Sequence, residues 1–269
     1  MSKILTKNQI NFFHENGFLS PIKIMGSETA HLYRNKLESY EKNKGHTING
    51  IDRHKSHLLF QWVYEIVKNK KILDAIEDLL GNNILCWSSN FFIKEPNDNT
   101  FVSWHQDSEY WGLEPDDVIT AWIALSDASL ETGPMEVIPK SHKWKNQIHK
   151  ETFSKNNLLS RGQEIKNIEN IDQAIAMPLK AGEISLHHVK LAHSSKINKT
   201  NDRRIGLAIR YTSTAVKQKN ANKDSALLVR GKDNYLNFLH ESPPKKDNDI
   251  NAVKNHKIAS ELHTKILMK

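Results

Sequence analysis

A chain of 269 residues with a 38% hydrophobic share is long enough for one generous domain with its own core. A single cysteine, Cys86, excludes an internal disulfide and suits a reducing cytoplasm. No run approaches the ~18 apolar residues of a membrane helix. The formal charge of +7 admits nucleic acid as a partner, but the lysines are scattered through Lys/Asn-rich loops with no nucleic-acid motif beside them. A basic surface that favours small anions is the simpler reading.

In chain order, residues 1–7 lack the apolar run of a signal peptide, which predicts a cytoplasmic protein. Thr6 is placed to cap a helix over 9–16, and Gly17 to end it. Ala30, Tyr33, Leu37 and Tyr40 recur at helical spacing, as do Ile72, Ile76 and Leu79 before Gly81. The helical part therefore covers about 5–80. From residue 84 the pattern turns to strands, clearest over 84–94, 118–125, 135–138, 183–187 and 204–211, with Cys86 as a buried structural thiol. Gly133-Pro134 and Asn97-Asp98-Asn99 mark turns. Many short strands predict a mainly β chain with some α: a double-stranded β-helix, a jelly-roll or cupin-like barrel, with the N-terminal helices packed outside. One domain is expected over 1–269, with its barrel core at about 84–215. The insert at 143–180 reads as polar and irregular, long enough to cover the barrel mouth. The polar tail at 241–269 holds Pro243-Pro244 and a predicted helix near 252–268.

The chemistry lies in three places: Trp104-His105-Gln106-Asp107, His193-Ser194-Ser195 and Arg203-Arg204. Residues i and i+2 of a strand share a face, so His105 and Asp107 can reach one metal, with His193 as a remote third ligand. Two imidazoles and a carboxylate on one side of a metal suit non-haem Fe(II) oxygenases. Arg204, eleven residues past His193, offers a planar fork for a carboxylate.

Residues 104–142 (WHQDSEYWGLEPDDVITAWIALSDASLETGPMEVIPKSH) and 181–211 (AGEISLHHVKLAHSSKINKTNDRRIGLAIRY) resemble the phytanoyl-CoA dioxygenase family. So does Phe12-Phe13-His14-Glu15-Asn16-Gly17-Phe18, against that family's first helix and turn. The resemblance implies an Fe(II)-dependent dioxygenase that uses 2-oxoglutarate and O2 as cosubstrates and releases succinate. It implies His105, Asp107 and His193 as iron ligands, and Arg204 and Ser195 as holders of the distal carboxylate of 2-oxoglutarate. It places Trp122 beside the cosubstrate and Lys94 on the pocket wall. Halogenating relatives carry a small residue in place of the carboxylate, so Asp107 implies hydroxylation. One departure stands out: Lys140 in Ile138-Pro139-Lys140-Ser141-His142 occupies a common glycine position, which puts the local turn in question.

Strand parity adds an expectation of its own. Arg204, Gly206, Ala208 and Arg210 share one face, so Arg210 should point inward with Arg204, either paired internally with Glu183 or clamping an anionic substrate group. Ser88, Asn90 and Phe92 share the face of Lys94, which makes Asn90 a pocket candidate. Tyr110 and Trp111 belong at the rim, and His187 and His188 read as outer or surface histidines. The expected function is hydroxylation of a small anionic or zwitterionic metabolite, such as an amino acid or aminoalkylphosphonate. The alternatives are a nucleic-acid demethylase with the same cofactors, or a barrel that binds a ligand without catalysis.

Overall fold

The computed structural model describes residues 2–145, 147–219 and 223–267. Its N-terminal part runs α1 (Lys7–Asn16), β1 (Phe18–Lys23), α2 (Ser27–Lys44), α3 (Gln61–Val67) and α4 (Lys70–Leu80). Then come β2 (Ile84–Lys94), β3 (Val102–His105), the single turn α5 (Ser108–Trp111), β4 (Leu113–Glu114), β5 (Val118–Ala124) and β6 (Met135–Val137). The insert supplies β7 (His149–Glu151), β8 (Gln163–Ile165) and β9 (Ile175–Met177). The chain continues through β10 (Glu183–His188), β11 (His193–Ser195), β12 (Arg204–Ser213), β13 (Lys217–Gln218), β14 (Ser225–Arg230), β15 (Leu239–His240) and α6 (Ile250–Leu267). No helix among the described residues is long and apolar enough to cross a membrane.

The first helix forms for the expected reason. Thr6 Oγ1 accepts from Gln9 N while the Gln9 side chain accepts from Thr6 N, a reciprocal cap. Gly17 at φ 83° ends it by donating its N–H to Phe13 O.

Two sheets make the jelly roll. The large one has the order β1-β10-β5-β12-β2-β14-β15, and the small one β3-β11-β6-β9. Parity splits the large sheet. Ile119, Ala121 and Ile123 of β5 and Ile205, Leu207, Ile209 and Tyr211 of β12 pack against Trp62, Ile66, Ile72 and Ile76 of the helices. The alternate residues, Trp122, Ala124 and Ala208, meet Met135, Val137 and Met177 of the small sheet. The helices thus cover one side, and the space between the sheets receives the even-numbered side chains of β12.

The insert is more ordered than its composition suggested. β7 pairs with β8, and β9 closes the edge of the small sheet against β6. Each of these strands has three residues, too few for a period of two to stand out. Lys140 takes the left-handed conformation at φ 67° despite its Cβ, with its N–H on Asn16 O and its ammonium 2.9 Å from Glu15.

The C-terminal segment is built into the fold by a buried ion pair. Lys55 Nζ lies 2.6 Å from Glu241 Oε1 and donates to the carbonyls of Trp87 and Ser225, both at 2.8 Å. His57 meets the other carboxylate oxygen at 3.1 Å. Burial alone would raise the Glu241 pKa, but Lys55 and His57 outweigh it and hold the carboxyl at about 2. A carboxyl depressed in the fold contributes stability above its unfolded value of ~4.3, and that contribution is lost as pH falls towards 2. Glu241→Gln leaves a buried ammonium without its counter-charge. The expected cost at pH 7 is about 3–5 kcal/mol in urea unfolding, with acid sensitivity between pH 4 and 2 reduced relative to the parent.

Candidate active site

His105 ends β3 and His193 opens β11, and the two are directly paired across the small sheet. Asp107 is not on the strand. The chain leaves β3 after His105, and Asp107 takes helical dihedrals (φ −62°, ψ −35°) as the residue before α5. The expected i, i+2 strand geometry is therefore replaced by a strand-to-helix turn, which still brings the carboxylate to 3.4 Å from His105 Nε2 and 3.9 Å from His193 Nε2. One ligand atom from each residue lies within 4.8 Å of the others, a set able to hold a metal ion.

The outer nitrogens are fixed from behind. His105 Nδ1 is 2.9 Å from Ser103 O and His193 Nδ1 is 2.9 Å from Leu191 O. Nδ1–H donation to these carbonyls leaves each Nε2 lone pair free for a cation. Burial, with His105 alongside, pushes the His193 pKa down to about 4. Burial opposes ionisation of Asp107, but the His105 and His193 rings beside it hold it well below the usual carboxylate range. At neutral pH His193 is thus a neutral imidazole and Asp107 a carboxylate, the forms that bind a metal.

Arg204 lies in the same cavity and is 2% exposed. Its Nη1 donates to Gly133 O (3.1 Å) and its Nη2 to Phe92 O (3.3 Å), while Nε has no partner. The guanidinium lies 5.2 Å from the ring of Trp122. Gly206 makes room for that ring, since a Cβ there would overlap the indole. No carboxylate pairs with Arg204 among the described residues. Burial lowers its pKa to about 9, so it stays charged at neutral pH and wants an anion. Ser195 lines the cavity beside it.

Lys94 corrects one expectation. It is fully buried but does not line the cavity. Its Nζ turns behind Ser195, within hydrogen-bond reach of Ser195 Oγ (2.7 Å), Gly133 O (3.3 Å) and Lys196 O. Burial and the charge of Arg204 push its pKa down to about 6. β2 meets the end of the small sheet there, so the strand face that parity assigned to Lys94 is covered by the turn at Gly133 and by β11.

Arg210 faces the interior, as parity required. The register shift between β12 and β2 falls after Arg210, so the alternation from Arg204 is undisturbed. Arg210 does not pair with Glu183, whose carboxylate accepts from Lys180 N. It packs over Phe92 (5.6 Å) and Trp111 (5.2 Å) and makes no hydrogen bond or ion pair among the described residues. Beyond it lies a second chamber lined by Asn90, Tyr110 and Trp111, with Arg53, Gln163 and His263 from elements that strand patterning did not single out. His187 is also in the site rather than outside it: it is buried, lines the cavity and lies 3.9 Å from Asp107.

The model of the phytanoyl-CoA dioxygenase family matches residues 13–206, most of the chain. The chain belongs to this family of Fe(II)- and 2-oxoglutarate-dependent oxygenases. A probable α-ketoglutarate-dependent hypophosphite dioxygenase of Stutzerimonas stutzeri is 31% identical over 66% of this chain and 63% of the relative, so the match spans less than two thirds of that protein's length. Among solved structures, the non-haem monooxygenase ThoJ in its apo form is 31% identical with a TM-score of 0.86, covering 97% of both chains. CytC3, solved with Fe(II) and α-ketoglutarate, has the same fold at 21% identity and a TM-score of 0.68, covering 91% of this chain and 96% of that one. The phytanoyl-CoA dioxygenase match reaches past Arg204 but stops before Arg210 and the C-terminal helix.

Proposed function

We propose that this chain hydroxylates a small anionic or zwitterionic metabolite, consuming 2-oxoglutarate and O2 and releasing succinate and CO2. The observation that carries the reading is a His/Asp/His cluster flanked by two buried guanidinium groups, Arg204 and Arg210, neither paired with a carboxylate among the described residues. Two buried cations without a carboxylate partner in one cavity call for two anions. One is the distal carboxylate of 2-oxoglutarate, and the other belongs to the substrate.

His105, Asp107 and His193 would hold the iron. When bound, iron and 2-oxoglutarate supply the oxidant for C–H hydroxylation. Arg204 would clamp the distal carboxylate, with Ser195 as a second donor. Ser195 Oγ accepts from Lys94, so its own hydroxyl hydrogen is free to point at that carboxylate. Trp122 shapes the cosubstrate wall. Arg210, Asn90 and Tyr110 would face the substrate. A relative named for hypophosphite, a small anion, supports the charge of the second ligand.

The test is succinate formation from 2-oxoglutarate with Fe(II), ascorbate and air, measured alone and with a panel of amino acids and aminoalkylphosphonates. Oxygen-dependent succinate stimulated by at least one panel member is expected. Absence of any oxygen-dependent succinate would leave a ligand-binding barrel without catalysis. Stimulation by methylated oligonucleotides alone, with salt-sensitive binding, would make the chain a demethylase.

A further inference from the structure

The chamber beyond Arg210 holds a second guanidinium from outside the barrel. Arg53 closes the short 3-10 turn Gly50–Arg53, and His54 after it forms an isolated antiparallel bridge to Asn90 of β2. The bridge pins the turn to the barrel mouth, and Arg53 lines the same chamber as Asn90 and Arg210. Arg53 Nη2 donates to Leu158 O (3.1 Å), in the loop between β7 and β8, while its Nε has no partner. Arg210, 8% exposed, is also unpartnered at Nε, and Asn90 is unpartnered at Oδ1. Three buried polar atoms without partners, Arg53 Nε, Arg210 Nε and Asn90 Oδ1, lie on three separate segments whose residues line one chamber.

Charge decides what fits. Asp107 is the one carboxylate lining the chamber among the described residues, and it belongs to the metal cluster. Asp224, further back, is turned to Trp87 Nε1, Ser225 N and His263 Nδ1. Burial keeps His54 and His263 neutral at pH 7. On the function proposed above, the two charges of Fe(II) and the one of Arg204 are cancelled by Asp107 and the two carboxylates of 2-oxoglutarate. Arg53 and Arg210 are left with two positive charges and no further carboxylate among the described lining residues to offset them. Two planar forks on separate elements suit a group with several oxygens better than one carboxylate, which a single arginine already satisfies.

We infer that Arg53 and Arg210 form a subsite for a compact, doubly charged oxyanion on the prime substrate, of the phosphonate or phosphate-ester type. The carbon to be oxidised then lies on the His105 and Asp107 side of that group. Arg53 becomes a specificity residue outside both the barrel strands and the metal cluster. The charge balance rests on the function proposed above, but anion binding can be measured without it.

The probe is methylphosphonate, at a pH where it is doubly charged, with acetate as the single-charge control. Calorimetric titrations would use protein loaded with Mn(II) and N-oxalylglycine, so that Arg204 is already occupied. Methylphosphonate should bind at least tenfold more tightly than acetate. Arg53→Met and Arg210→Met should each weaken it by roughly 30-fold or more, the loss expected for truncating one partner of a buried charge pair. Arg53→Met should leave N-oxalylglycine affinity within twofold and the melting temperature unchanged or raised, because a half-buried cation with no carboxylate partner has gone. Equal affinity for acetate, or full methylphosphonate affinity in either Met variant, overturns the subsite. A lowered melting temperature in Arg53→Met with methylphosphonate affinity kept marks the arginine as structural and overturns it too. If Arg53→Met does not fold, Arg53→Gln carries the same comparison. If N-oxalylglycine fails to bind the parent protein, the cosubstrate assignment falls, and titration of metal-free protein still decides the subsite.

Discussion

His193→Ala protein will fold and will not retain stoichiometric Fe(II). His193 supplies one of three donor atoms within 4.8 Å, and Asp107, already one of the three, is the one carboxylate among the described lining residues. Losing an outer partner of a metal-bound histidine already costs ~10–100-fold in affinity, so losing the ligand itself must cost more. Turnover should fall to background with it. Asp107→Asn separates charge from shape: the amide fills the same space but gives up the negative charge that attracts the cation, and should bind iron comparably poorly. Metal content after anaerobic reconstitution, with calorimetric melting of the metal-free proteins, checks both. The melts should lie within a few degrees of the parent, since ~1 kcal/mol moves the midpoint by only ~2–4 °C at this size. The sharp control is His187. It lies as close to Asp107 as His193 does, 3.9 Å in each case. Stoichiometric iron in His193→Ala that disappears in His187→Ala would mean that the metal sits one residue further into the large sheet.

The legible parts of this chain are those where a local rule fixes the answer. Arg204 and Arg210 both face the interior, as parity required, because β12 keeps a strict period of two between them and its bulge falls after Arg210. The same parity put Arg203 on the outer face, where it holds Glu41 and Glu95 through four hydrogen bonds of 2.7–3.1 Å. The His-x-Asp spacing pointed to the right cluster through the wrong local geometry, since Asp107 begins a helical turn. Lys94 shows where parity stops: it gives the face of a strand but not what covers that face, and Lys94 reaches a covered stretch behind Ser195.

What the sequence hid depends on distant contacts. The buried face of α6 is Ala252, His256, Ala259, Ser260, His263 and Ile266, small or polar almost throughout, so no apolar stripe marks it. It docks because His256 Nε2 meets His54 O at 2.8 Å and because the Lys55–Glu241 pair ties down the segment leading to it. Arg53 reaches the chamber through a bridge to Asn90, 36 residues from His54, which no periodicity encodes. The His105, Asp107 and His193 cluster was written in short motifs, whereas Arg53 and His263 in the chamber beyond it come from a turn and a C-terminal helix.

Arg204→Leu will lose 2-oxoglutarate while gaining or keeping stability as the free protein. The guanidinium is buried, and its bonds at Gly133 O and Phe92 O are to neutral carbonyls. Its charge is therefore uncompensated until an anion arrives, and a leucine at that position removes the desolvation cost without stranding a carboxylate. The metal-free melting temperature should hold or rise. With cosubstrate the sign reverses. Truncating one partner of a buried, hydrogen-bonded charge pair costs about 2–5 kcal/mol, which is roughly 30- to 3,000-fold in the dissociation constant for 2-oxoglutarate. Ser195→Ala removes one hydrogen bond and should cost on the order of 1 kcal/mol. Arg203→Leu is the opposite case. It strands Glu41 and Glu95, so it should lower the melting temperature and leave 2-oxoglutarate affinity within twofold. Titration of each variant with 2-oxoglutarate in the presence of Mn(II), beside thermal melts, gives both readings. If Arg204→Leu melts well below the parent and still binds 2-oxoglutarate with parental affinity, Arg204 is a structural cation and the cosubstrate carboxylate lies elsewhere, with Arg210 the next guanidinium in the same cavity.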